Sequence, residues 1–253
     1  MRDVGEHEIA IAKLFGNRVR YNELGPRHPI PLLVLAFTNR CGSNLLAEYL
    51  LECGTVAGLR EVLNGYEVSE LSNKMGAGTF PAYISELVGA DGRPVYGVKA
   101  SWDQILMLLR WRIDKMFSSI RILHIERNDI LAQAASFSIA LQTKRWTSAD
   151  TGIDVAPVYN EADIAHWMER LGNGNKLITQ ICSLYQLDRF RLTYEDLIDN
   201  PVSTLLAIHR WLGLPLLKFD VAKVNLSRQS DEHNESFIDR YRSKSTRDIG
   251  GDI

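Results

Sequence analysis

The sequence predicts an α/β fold, a mostly parallel sheet flanked by helices on both faces, and three observations carry that expectation. Residues 31–37 (Pro31-Leu32-Leu33-Val34-Leu35-Ala36-Phe37) form a short, almost wholly apolar run of strand formers, the pattern of a parallel strand covered on both sides. A glycine-containing turn follows at 38–43, and then Leu45, Leu46, Tyr49 and Leu50 fall on one helical face, with Gly54 where the helix would stop. Strand and helix patterns alternate thereafter, as parallel crossover units require.

Taken in order, 95–100 reads as a strand, 102–116 as an amphipathic helix, 121–126 as a strand and 129–143 as a helix. A helical pattern at 162–187 is expected to break at Gly172-Asn173-Gly174-Asn175, four residues that disfavour helix interiors. Residues 190–194 read as the last strand and 201–212 as a helix with Pro201 in its first turn. Residues 62–94 read as loops around one short helix near 83–88, and 144–160 carry no period; long loops of this kind often line substrates. The 253 residues suit one domain over 1–253, with 1–30 as an N-terminal extension and 231–253 as a C-terminal helix and tail.

Apolar residues make up 45% and charged residues 24% of the chain, ordinary globular values. A formal charge of -2 gives no broad positive field, so no nucleic-acid partner is expected and any anion site must be local. No stretch reaches the roughly 18 apolar residues of a membrane span, and residues 1–20 hold no uninterrupted apolar core of a secretory signal. Cys41, Cys53 and Cys182 form no CxxC pair, which argues against a zinc site or a disulfide framework and for a cytoplasmic protein.

The turn Thr38-Asn39-Arg40-Cys41-Gly42-Ser43-Asn44 lies where open α/β sheets bind ligands, between a strand end and a helix start whose free amides attract anions. Gly42 allows a close backbone approach, Ser43 and Asn44 can add side-chain donors, and Arg40 adds a permanent charge with a planar donor fork. The helix terminus alone contributes about 0.3–1 kcal/mol, so the arginine and the amides must supply most of the rest. A plain strand-to-helix turn with a surface arginine fits the local pattern equally well. The arrangement is P-loop-like, yet Gly42 is followed by Ser43-Asn44 where a nucleotide hydrolase needs lysine and a hydroxyl.

Together with this Arg-x-Gly-Ser turn, three segments resemble the bacterial trehalose 2-sulfotransferase (Stf0) family of sulfotransferases. They are Leu123-His124-Ile125-Glu126-Arg127 leading into Gln133-Ala134-Ala135-Ser136-Phe137, then Tyr194-Glu195-Asp196-Leu197 with Asn200-Pro201, and Arg228-Gln229-Ser230-Asp231 leading to Asp239-Arg240-Tyr241-Arg242. The matching order covers most of 32–243. The resemblance implies a P-loop-like enzyme moving a sulfonate from 3'-phosphoadenosine 5'-phosphosulfate to a sugar or glycolipid hydroxyl without a metal. It implies that Arg40, Cys41, Gly42, Ser43 and Asn44 hold the 5' end of the donor and Arg127 and Ser136 its 3'-phosphate, with Arg228 a weaker candidate there. Pairing into a homodimer is compatible with it.

Glu61, in Gly58-Leu59-Arg60-Glu61-Val62-Leu63-Asn64, matches the family's general base once one residue is dropped after Gly58; Glu67 and Glu70 are substitutes. Arg40 is counted with Glu61 as catalytic because it faces charge growing on the leaving phosphate, and Lys99, at a strand end, adds a positive charge near the reacting centre. Cys41 stands where the family usually has serine, and Asn44 where threonine is common. These departures keep alive a catalytically silent nucleotide-binding paralogue; a P-loop-like kinase is the other alternative. His124 and His166 read as packing or helix-face residues, and Trp102, Trp111, Trp146 and Trp167 mostly as core, with a sugar-stacking surface among them as the sharper reading.

Overall fold

The computed structural model describes residues 4–89, 92–146, 150–215, 219–224 and 232–250, with side chains up to 244. Among them five strands form one parallel sheet: β1 (Leu32–Ala36), β2 (Val56–Arg60), β3 (Val95–Ala100), β4 (Ile120–Glu126) and β5 (Asp188–Thr193), in the order β2-β3-β1-β4-β5. The apolar run is thus the central strand, and the chain leaves β1 towards one edge and later returns on its other side. That reversal opens a crevice at the carboxyl end of β1, where parallel sheets take ligands.

Every residue of β1 is buried, and its side chains sort by the two-residue period of a strand. Leu32, Val34 and Ala36 enter one core with Ile105 and Leu106 of α5 (Trp102–Arg110) and Ile178 and Ile181 of α7 (Glu161–Leu184). Leu33, Leu35 and Phe37 enter the other with Leu46 and Leu50 of α2 (Ser43–Glu52) and Leu205 and Ile208 of α9 (Pro201–Leu212). Burying one such side chain contributes about 1.5–3 kcal/mol, so helices on both faces are the stable arrangement. A third cluster joins Ala134 and Phe137 of α6 (Ile130–Thr143), Leu171 of α7 and Phe237 of α10 (Glu232–Gly250). No helix among the described residues is long and apolar enough to cross a membrane.

Several local expectations differ from the structure. The stretch from 62 to 94 holds two helices, α3 (Gly65–Met75) and α4 (Phe80–Gly89), and β2 precedes it. Residues 102–116 divide into α5 and a 3-10 turn at Ile113–Met116, because Arg112 between them is left-handed at φ 60°. The segment read as an N-terminal extension carries α1 (Glu6–Phe15), whose Ile11 and Phe15 join the first core while Glu8 pairs with Arg110 of α5 through two hydrogen bonds. Between Thr193 and Pro201 lies α8 (Tyr194–Asp199), closed by a Thr193/Asp196 capping box.

The expected break at Gly172-Asn173-Gly174-Asn175 is absent: α7 runs unbroken for 24 residues. A Cβ on Gly174 would stand 2.8 Å from Thr38 Cγ2, so the missing side chain lets α7 press against the turn after β1. Next to it Asn175 Oδ1 accepts from Thr38 Oγ1 at 3.2 Å and lies 3.4 Å from His124 Nε2. Burial pushes His124 down to about 4, although the Glu126 carboxylate 3.4 Å from its Nδ1 pulls the other way.

Two outcomes follow from this contact. Gly172 meets nothing within 4 Å, so Gly172→Ala should stabilise the protein by up to about 1 kcal/mol, whereas Gly174→Val should cost about 1–3 kcal/mol; urea unfolding measures both. His124 accepts a proton more readily unfolded, near 6.5, than folded, so stability should fall as pH drops from about 6.5 through about 4. Comparing wild type with His124→Gln at pH 7 and 4.5 should isolate a loss on the order of 2 kcal/mol.

Candidate functional site

The turn after β1 reverses through two left-handed residues, Arg40 at φ 65° and Gly42 at φ 88°. Arginine at such a φ is strained by about 1–2 kcal/mol, and its neighbours explain how it is held. Arg40 Nε donates to Ser136 Oγ of α6 at 2.9 Å, and Nη1 donates to the Trp146 carbonyl at 2.6 Å. Beneath it Gln133 Nε2, fully buried, donates to the Asn39 carbonyl at 2.7 Å and to Thr38 Oγ1 at 3.0 Å. Gly42 then caps α2 without any side-chain cap, and a helix start of this kind attracts anions.

The two groups of residues assigned from sequence to the donor's two ends therefore meet. Arg40 touches Ser136 directly. Gly42 and Arg127 meet through Tyr194: a Cβ on Gly42 would lie 2.4 Å from the Tyr194 ring, and the Arg127 guanidinium lies over the same ring at 5.1 Å. Arg127 follows the end of β4 and its buried Nε has no hydrogen-bond partner within the described protein. Glu195 fixes the loop there, accepting from the amides of Asn128 at 3.1 Å and Asp129 at 3.4 Å. Arg228, with Gln229, Ser230 and Asp231, lies outside the described residues.

Glu61 stands just past β2. The register of β2 against β3 slips between Gly58 and Arg60, with Gly58 at φ 78° and Leu59 at φ 55°, and a β-bulge of this kind re-aims the residues that follow. Glu61 Oε1 accepts from Lys99 Nζ at 2.8 Å, and Lys99, at the end of β3, also donates to Asn44 Oδ1 and lies 4.7 Å over the Phe37 ring. Lys99 is only 4% exposed; a lysine buried this far keeps its charge only with close partners. Asn44, Lys99 and Glu61 thus join the turn to the candidate base. Glu67 lies in the first turn of α3, and Glu70 accepts from Tyr66 on that helix at 2.8 Å; neither is paired with Lys99.

Cys41 makes no side-chain contribution to an open anion site. It is fully buried, and burial pushes its thiol up to about 11, although the amides of Ser43, Thr38 and Cys41 itself and the charge of Lys99 draw it down. The thiol fills the inside of the turn. Ser43 is buried at the start of α2, whereas Asn44 is exposed. Trp111 is in the core, while Trp146 is 37% exposed beside Arg40 and packs 6.0 Å from Phe137. His166 is exposed on α7 against Trp167 at 5.0 Å. Sequence reasoning gave no role to Gln133, Asn175, Asn64 or Gln104, uncharged amides whose roles arise only from packing, although Gln133 and Asn64 lie in the family-like segments, as Tyr194 does at the start of Tyr-Glu-Asp-Leu.

Known proteins are similar to this chain in sequence or in fold. Trehalose 2-sulfotransferase of Mycobacterium tuberculosis is 27% identical, over 86% of this chain and 96% of its own length. The protein of the same name from Mycolicibacterium smegmatis is 24% identical, over 87% and 97%. A solved sulfotransferase domain from the curacin biosynthetic pathway has the same fold, with a TM-score of 0.54 at 14% identity and 83% of each chain covered. The family model described as Stf0 sulphotransferase matches residues 32–244, from β1 through the turn, Glu61, Arg127, Ser136 and Tyr194 into α10, and the chain belongs to that family.

Proposed function

We propose that this sulfotransferase transfers a sulfonate from 3'-phosphoadenosine 5'-phosphosulfate to a hydroxyl of a sugar or glycolipid. The observation that carries the reading is the direct contact of Arg40 with Ser136, joined by the Gly42–Tyr194–Arg127 stack. It supports one nucleotide spanning both sets of phosphate holders. In this reading the amides of Gly42, Ser43 and Asn44 and the guanidinium of Arg40 face the 5' end, and Arg127 and Ser136 face the 3'-phosphate.

Chemistry follows from the charges already in place. Glu61 takes the proton of the acceptor hydroxyl as its oxygen bonds to sulfur, while the bond from sulfur to the 5'-phosphate oxygen breaks in line and the bisphosphate leaves with that electron pair. Arg40 and the α2 amides meet the charge growing on the leaving phosphate, the kind of fixed electrostatic complement that lowers such barriers most. Lys99, held between Asn44 and Glu61, places a cation between the turn and the base.

The sugar acceptor rests on the two mycobacterial relatives, which makes trehalose the first compound to try, and a cytoplasmic location rests on cysteine usage. A single domain over 1–253 accords with helices from both ends packing on one body. The silent-paralogue reading loses support from the burial of Cys41, because a side chain that fills the inside of the turn removes no donor from its open face.

Titration with 3',5'-adenosine bisphosphate tests the donor site: wild type should bind, and Arg127→Ala should weaken binding by at least about tenfold, the loss of one charge-assisted pair. Turnover of ATP with magnesium in place of such binding would overturn the reading in favour of a kinase. Glu61→Gln should bind the bisphosphate like wild type while sulfonate transfer drops about 100- to 10,000-fold; unchanged turnover would remove Glu61 as the base.

A further inference from the structure

A line of hydrogen bonds reaches Glu61 from the far side of the site, and its direction is set by the backbone. At the start of α5 the Ser101 N–H can only donate, and it meets a terminal atom of the buried Gln104 side chain at 3.0 Å, which must therefore be the amide oxygen. The Gln104 Nε2 then points the other way and donates to Asn64 at 2.9 Å, so Asn64 must present its oxygen there. This leaves Asn64 Nδ2 facing Glu61, where it donates to Oε2 at 3.3 Å.

We propose that Gln104 and Asn64 are positioning residues that hold the Glu61 carboxyl group correctly turned to act as the base. The inference rests on Glu61 being that base. Lys99 occupies Oε1 and Asn64 occupies Oε2, so each carboxylate oxygen is met by a donor and neither by an acceptor. Two anchors on different elements, β3 and the residue that begins α3's first turn, fix the plane of the group. Reversing the Asn64 amide would turn its carbonyl to Oε2, where only a protonated Glu61 could donate to it. Gln104 prevents that reversal because its own orientation is tied to the main chain.

The charged and titratable groups around the relay are Lys99, Arg60, Glu67, Asp103 and His7. Lys99 is the cation paired with Glu61 among the described residues. Arg60 precedes Glu61 in the chain, and Glu67 lies in the first turn of α3. Asp103, in the first turn of α5, accepts from Ser101 Oγ. His7 of α1 meets the Gly65 amide with Nδ1 at 3.2 Å.

The test is the pH dependence of kcat/KM for sulfonate transfer, read on four variants. Asn64→Asp replaces the donor with a carboxylate, and the acidic limb should move up by about one pH unit. Gln104→Met keeps the volume but frees the Asn64 amide; kcat should fall about three- to tenfold, the limb should move part-way in the same direction, and binding of 3',5'-adenosine bisphosphate should stay within about twofold of wild type. In an Asn64→Ala background Gln104→Met should change neither quantity further. An unmoved acidic limb in Asn64→Asp, or an equal effect of Gln104→Met with and without Asn64, would overturn the relay. Should Gln104→Met fail to fold, the half-buried Asn64 variants decide alone. An active Glu61→Gln enzyme would instead sink the base assignment, while an inactive one combined with an unmoved limb sinks the relay only.

Discussion

At Gly42 the backbone lies so close to the Tyr194 ring that a Cβ would sit 2.4 Å from it, and the φ of 88° is one that side chains other than glycine resist. This contact joins the two halves of the chain. The turn after β1 belongs to the first half, and Tyr194, which starts α8 after β5, to the second. Because the Arg127 guanidinium lies over the same ring, the spacing between Gly42 and Arg127 depends on one aromatic side chain. A larger residue at 42 would displace the ring, and with it the arginine that packs on it.

The turn is steadied from below as well as from the side. Gln133, Thr38 and Asn175 form a buried series of amides and hydroxyls under residues 38–39, and Gly174 lets α7 approach closely enough for Asn175 to take part. None of these groups is charged, so they hold the backbone without adding a field that would compete with an anion above. Arg40 and Arg127 are half-buried, and Lys99 is buried but paired with Glu61, so three cations gather round this turn on a chain whose formal charge is -2.

What could be read from sequence divides along physical lines. The central strand and α6 were legible because their burial is nearly complete, so hydrophobic pattern alone marks them. β2 was not, because Gly58 and Leu59 take left-handed conformations in a bulge that no strand pattern anticipates. α3 buries little beyond Val68 and Ser72 and so reads as polar loop, and α7 reads as broken because two glycines cost helix propensity that its packing on Thr38 outweighs. In the site, Arg40 and Gly42 were legible from residue chemistry, and Glu61 and Arg127 only from family resemblance. Asn64 and Gln104 were legible from neither: they are 40 positions apart, and their meeting is a product of the fold.

The two departures from the family pattern in the turn have different physical meanings. Cys41 replaces the usual serine at a position with no exposure, so the exchange of hydroxyl for thiol changes what fills the turn and leaves its open face alone. Burial also keeps the thiol protonated at neutral pH, since its affinity for the proton rises to about 11, and a protonated thiol is a poor nucleophile. Asn44, by contrast, is exposed and accepts from Lys99, a link between the turn and Glu61. Threonine at 44 would carry a shorter side chain with a hydroxyl in place of the amide oxygen. The exchange therefore bears on how Lys99 is shared between the turn and Glu61, and so on the placement of the Glu61 carboxyl as much as on the turn itself.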